Sequence, residues 1–173
     1  MLGMSKAGIF KYYKNKQELF IAVVDKFWFS TQNPRNKFTE TNGTFAEFID
    51  EYVRGVQRTM DMLGDLIGAE REKVAQGKFT YHAQYFHFLF QLLQYDPDAK
   101  EKLRNLVDGD YAYWRAAIQR AIATGELRED VDVEDAVVMF RQVYMGLSFE
   151  MAFMGGLNTQ RLAKHLHAVF TPY

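Results

Sequence analysis

Apolar residues recur at steps of three and four along almost all of the 173-residue chain, and this spacing constrains the fold more than any other feature. A repeat of 3.6 residues gathers positions i, i+3, i+4 and i+7 on one helix face, whereas a strand needs alternation. Alternation is essentially missing and only three prolines interrupt the pattern, so the chain is expected to be all-α. Capping chemistry punctuates it. Asn15 with Glu18, and Thr44 with Glu47, have the spacing of capping boxes, where a side-chain oxygen accepts from one free amide and a carboxylate reaches back to another. Asp96-Pro97 sets a cap before a proline at the first helical position, and Asp132 and Asn158 are further caps. Gly125 and the Gly155-Gly156 pair are stops. Helices are therefore predicted over 5–12, 16–31, 45–75, 80–94, 97–124, 133–153 and 159–170, with a bend in the third at Gly64 or Gly68. Residues 32–43 read as a linker.

Composition narrows the function. The chain has no cysteine, which excludes disulfides, thiolate metal sites and a cysteine nucleophile and fits a cytoplasmic location. No apolar run approaches the roughly 18 residues of a membrane span, and Lys6 to Lys16 break up the one apolar stretch near the start. Residues 1–38 carry seven basic side chains (Lys6, Lys11, Lys14, Lys16, Lys26, Arg35, Lys37) against two acidic ones (Glu18, Asp25), although the whole chain has a net charge of -1. A basic head on an acidic body points to different partners for the two parts.

Catalysis finds little support. His82 and His87 are five apart and do not share a helix face, and His165 and His167, two apart, diverge. There is no Gly-rich phosphate loop and no serine-centred elbow. Glu70, Glu72 and the acidic stretch 130–135 read as solvated faces and caps. No enzymatic activity, metal or cofactor is expected.

The densest local signal is Gly3-Met4-Ser5-Lys6-Ala7-Gly8-Ile9-Phe10-Lys11-Tyr12-Tyr13-Lys14-Asn15-Lys16-Gln17-Glu18-Leu19-Phe20. Ser5 can cap a short helix whose first-turn amides then face a phosphate. Lys6 and Lys11 project to one side, Tyr12 offers a hydroxyl, and Ile9, Phe10 and Tyr13 form an apolar seating stripe. Lys16 opens the next helix, where a cation opposes the dipole unless an anion is near. A solvated amphipathic helix with incidental lysines is the alternative on residues alone.

This segment resembles the end of the helix-turn-helix of the TetR family of transcriptional regulators. There a Gly-Val-Ser turn leads into a recognition helix ending in Tyr-x-Tyr-Phe, followed by a Lys-x-x-Leu helix start. Phe10 and Tyr13 are aromatic exchanges against that pattern. Gly125-Glu126-Leu127-Arg128-Glu129-Asp130-Val131-Asp132 is similar to the loop before the family's last two helices. The resemblance implies DNA contacts from Ser5, Lys6, Ala7, Gly8, Lys11, Tyr12, Tyr13 and Lys16, with Lys16 on a phosphate. Only Met1 and Leu2 precede the turn, so the head (residues 1–31) is expected to be the remnant of a truncated helix-turn-helix.

Residues 44–173 are expected to form a helical ligand-sensing and dimerisation domain. Aromatic residues make up 16% of the chain, and residues 79–95 are apolar around most of a helix, with polar points at His82, Gln84, His87 and Gln91. An apolar cavity with few polar anchors is the usual form of a small-molecule site, and the resemblance implies an inducer pocket. Met60, Tyr85, Phe88, Tyr111, Trp114 and Tyr144 are the expected wall residues for a small hydrophobic or aromatic inducer. Helix 133–153 is apolar on two sides, with Gly146 and Ser148 allowing close approach, and Leu162, Leu166, Val169 and Phe170 follow on the next helix. Two such hairpins, packed about a two-fold axis, would make a homodimer through residues 133–170. The expected protein is a ligand-responsive repressor of a double-stranded DNA operator. A dimeric helical ligand-binding module without DNA binding, or a helical protein–protein adaptor, are the other readings.

Overall fold

The computed structural model describes residues 11–39, 43–67 and 81–170, and the side chains of these except 66, 67, 81, 82 and 84. Every regular element among the described residues is helical, as the three-and-four spacing predicts. The predicted helix 5–12, and the stretch of the third beyond Ile67, fall largely outside the described residues.

The first helix begins where Asn15 Oδ1 accepts from the Glu18 amide at 2.8 Å. The Glu18 carboxylate reaches back to the amide of Lys14, also at 2.8 Å, one residue earlier than a regular capping box requires. Helix α1 (Lys16–Val23) runs straight into a π-helical turn (Val24–Trp28) and then α2 (Phe29–Gln32). The Phe29 amide donates to the Val24 carbonyl, five residues back. Val24 and Trp28, at the two ends of that turn, both lie in the interior. The predicted helix 16–31 is thus one continuous rod with a phase shift, which periodicity cannot reveal because the pattern is displaced rather than broken.

The predicted linker at 32–43 is packed structure over its described first part. Asn33 accepts from the Arg35 amide at 3.0 Å, starting α3 (Pro34–Lys37). Asn36 donates its side-chain amide to the carbonyls of Ser30 and Thr31, both at 2.8 Å, closing the end of α2. Gln32, Lys37 and Phe38 are all buried. Polar composition suggested a solvated connection, but the Phe38 ring stacks on Tyr113 at 4.8 Å and anchors the segment.

Helix α4 (Phe45–Ile67) opens with the predicted capping box. Thr44 Oγ1 accepts from the Glu47 amide at 3.2 Å, and Glu47 accepts from the Thr44 amide at 2.8 Å. Phe45, Phe48, Ile49, Tyr52, Val56 and Thr59 turn inward, and the helix continues unbroken through Gly64. Helix α5 (Tyr81–Tyr95) leads to a turn in which Asp96 accepts from the Asp98 amide at 2.9 Å. Helix α6 therefore starts at Ala99, not at Pro97, and runs to Ala123.

Gly125, at φ 77°, takes the left-handed conformation that ends α6. Its amide donates to Ile122 at 3.0 Å and the Glu126 amide to Ala121 at 2.9 Å, a Schellman arrangement. The same loop explains the second motif. Glu126 Oε2 accepts from the Phe45 amide at 2.7 Å, Leu127 and Val131 are buried, and Asp132 caps α7 by accepting from the Asp135 amide at 3.0 Å. Helix α7 (Val133–Ala152) turns through Gly156, at φ 95°, and Asn158 caps α8 (Thr159–Phe170) through the Arg161 amide at 2.9 Å.

Two aromatic-rich clusters form the interior. The larger joins α4, α6, α7 and α8 around Trp114, which is fully buried, stacks on Phe140 at 5.0 Å and meets the edge of Tyr52 at 4.9 Å. The smaller joins the first rod to α5 and the start of α6, through Val24, Trp28, Leu92 and Ala99, with Phe20, Tyr85, Phe88, Leu103 and Leu106 packed against them. Burying each large side chain contributes about 1.5–3 kcal/mol before entropy is charged.

Candidate functional site

A cavity of about 40 Å³ lies where the two clusters meet, lined by Gln32, Lys37, Tyr85, Leu103, Leu106, Val107, Asp110, Arg141, Tyr144 and Met145. Three charged groups converge on it. Lys37 Nζ stands 3.6 Å from Asp110 Oδ2, and Arg141 Nε stands 3.9 Å from the same oxygen. Lys37 and Asp110 are 5% and 6% exposed. Each cation also faces an aromatic ring: Lys37 Nζ lies 5.8 Å from the centre of Tyr144, and Arg141 Cζ lies 5.5 Å from that of Tyr111. Asp110 Oδ1, Arg141 Nε and Gln32 Nε2 are buried with no hydrogen-bond partner.

Two phenols, Tyr85 and Tyr144, complete the polar wall, and Tyr52 packs edge-on against Tyr144. Burial pushes Tyr85 up to about 12, against the opposing pull of the Lys37 ammonium. Burial, reinforced by the Asp110 carboxylate, pushes Tyr144 to about 12, and burial raises Tyr52 well above the ordinary phenol range. All three stay protonated near neutrality and so keep their hydrogen-bond donors.

Of the residues predicted to wall a pocket, Tyr85 and Tyr144 line this cavity. Trp114 fills the larger cluster solidly, with Met60 and Tyr111 packed against that cluster and Phe88 against the smaller one. Gln32, Lys37, Asp110 and Arg141 were not among the sequence candidates. A signal existed for two of them. Asp110 sits four residues from both Leu106 and Trp114, and Arg141 four residues from both Val137 and Met145, so each places a charge within an apolar stripe. Lys37, in a stretch that reads as linker, gave none.

The basic head meets the body through the first rod. Tyr12 is 74% exposed, Lys11 and Lys16 are exposed, and Tyr13 is partly buried. Ser5, Lys6, Ala7 and Gly8 lie outside the described residues. Gln17 Nε2 donates to the Tyr95 carbonyl at 2.6 Å, Phe20 stacks on Phe88 at 5.9 Å, and Lys102 Nζ bridges Asp25 at 2.7 Å and Asp96 at 2.8 Å. The far end of the rod is Gln32, in the cavity wall.

On the outer side, Val138, Met139, Phe149, Phe153 and Met154 are exposed, and a side chain added at Gly146 would meet nothing within 4 Å. Leu162, Leu166 and Ser148 point into the chain's own interior, so they are not part of this face. No described helix is long and apolar enough to cross a membrane.

Residues 56–152, from within α4 to the end of α7, match the family model for the C-terminal domain of tetracyclin repressor-like proteins. No curated protein and no solved structure matched the chain. The match covers more than half of the chain and takes in Asp110, Arg141 and Tyr144 of the cavity, and the chain therefore belongs to the tetracyclin repressor-like (TetR) family.

Proposed function

We propose that this protein is a ligand-responsive DNA-binding transcriptional regulator, a cytoplasmic repressor that a small hydrophobic or aromatic inducer releases from its operator. The observation that carries this reading is the path of the first rod: it leaves a basic, exposed segment and ends at Gln32 in a buried cavity. A molecule entering that cavity acts on the element that positions the head. In this reading Lys11, Tyr12, Tyr13 and Lys16 face DNA together with Ser5, Lys6, Ala7 and Gly8. A homodimer forms through the outer face of α7 and the adjoining α8, where the open space at Gly146 and the exposed Phe149 and Phe153 suit a partner helix.

The test is selection of duplexes from a random pool, followed by fluorescence anisotropy of the selected site with and without ligands that raise the melting temperature. A near-palindromic site is expected, matching two-fold protein symmetry, with affinity that falls on ligand addition. If no duplex is selected while ligand binding persists, the protein is instead a dimeric helical ligand-binding module.

A further inference from the structure

We propose that the cavity at Lys37, Asp110 and Arg141 seats the carboxylate of a small organic acid, whose apolar tail enters between Tyr85, Leu103, Leu106 and Met145. This deepens the ligand-sensing reading above and rests on it. Formally the site holds two cations, the buried Lys37 and the partly buried Arg141, and one buried carboxylate, a surplus of one positive charge. A buried charge without a counter-charge is strongly destabilising. Neither existing pair compensates fully: both contacts, 3.6 and 3.9 Å, are longer than the roughly 2.7–2.9 Å of a charge-assisted hydrogen bond.

Apart from the acceptor Asp110 Oδ1, the free hydrogen-bonding capacity at the cavity is donor in character. Arg141 Nε and Gln32 Nε2 are donors without acceptors, and the protonated phenols of Tyr85 and Tyr144 line the same space. Water could satisfy such donors but would leave the charge unbalanced. A monoanion neutralises the surplus, whereas a dianion overshoots it. The volume, about 40 Å³, compares with roughly 30 Å³ for one water in the liquid. It accommodates an anionic head rather than a whole organic acid. The tail must therefore part the apolar wall of Tyr85, Leu103 and Leu106, which also pack on the Trp28 cluster. Filling the site thereby pushes on the rod that carries the head.

An inorganic monoanion shares the same charge chemistry, and the experiment separates the two. The purified full chain is titrated by calorimetry and thermal shift with acetate, benzoate, octanoate, neutral benzamide and, at matched ionic strength, chloride. Benzoate or octanoate is expected to bind saturably, at least ten-fold more tightly than benzamide and than chloride. Lys37→Met should weaken that binding at least ten-fold, and Asp110→Asn, which removes the competing carboxylate, should tighten it. Opposite signs from two buried substitutions cannot come from impaired folding alone. Benzamide binding as well as benzoate, chloride displacing the acids at equal concentration, or no carboxylate binding at all would each overturn the proposal. Release of selected DNA by neutral compounds, with no response to carboxylates, would overturn it while leaving the regulator reading in place.

Discussion

The main-chain carbonyl of Lys37 rests against the Cα of Gly55, so close that a methyl group on Gly55 would overlap it. This contact lets α3 lie down on α4 and delivers the Lys37 side chain to Asp110. Replacing glycine by alanine inside a helix ordinarily stabilises it by about 1 kcal/mol. Here the overlap with backbone reverses the sign, and Gly55→Ala is expected to lose about 2 kcal/mol in urea unfolding. A variant as stable as wild type would show that α3 shifts freely.

Gly146 is the opposite case, with open space where its side chain would be. Gly146→Ala should stabilise the fold by about 0.5–1 kcal/mol through helix propensity. Gly146→Glu should leave helical content unchanged and convert a dimer to a monomer at micromolar concentration, as read by sedimentation. A wild-type chain that sediments as a monomer at those concentrations would remove the proposed dimer face.

Much of the fold is legible in the sequence because capping and period are local properties. Thr44 with Glu47, Asp132 and Asn158 each declare a helix start within four residues, and each is found in place. What is not legible depends on residues far apart in the chain. Phe38 is a core residue because Tyr113 lies beneath it, and Glu126 caps a helix that begins 81 residues earlier. The aromatic enrichment pointed to a cavity, yet Phe38, Phe45, Phe48, Tyr52 and Phe140 pack directly around Trp114. The space that remains is defined by charges instead. Asp110 and Arg141 interrupt apolar stripes, a signal visible in the sequence, whereas Lys37 joins them only through the α3 turn.

Lys102 ties the first rod to the body by bridging Asp25 and the almost fully buried carboxylate of Asp96. Lys102→Met should cost about 2 kcal/mol, since the buried Asp96 carboxylate loses its charged partner. Hydrogen exchange of residues 16–32 should accelerate more than that of α4 or α7. Uniform acceleration across the chain would mean that the bridge supports the whole fold rather than the rod.

Alkaline pH should titrate the partly buried phenols of Tyr85 and Tyr144. Tyr85 and Tyr144 titrate near 12 in the folded chain against about 10 when unfolded. A raised folded value contributes stability that is complete below pH 10 and is lost as pH climbs towards 12. Each phenol thus removes about 2 kcal/mol across that window. Absorbance at 295 nm should show late-titrating tyrosines that revert to the ordinary range in guanidinium.

Lys16 stands exposed at the start of α1. If it meets a phosphate in the proposed complex, Lys16→Ala should weaken binding to all duplexes alike and reduce the slope of log K against log salt by about 1. Loss of affinity for one sequence only would assign Lys16 to base recognition.

The π turn at Val24–Trp28 holds one residue more than an α-helical turn would. One helical residue corresponds to about 100° of rotation. Deleting a single residue from this turn would restore an ordinary helix with the Lys16 side facing much as before, whereas the same deletion within α1 would swing everything ahead of it by that angle. The turn is thus a place in the rod where the chain gains or loses a residue without re-aiming the head.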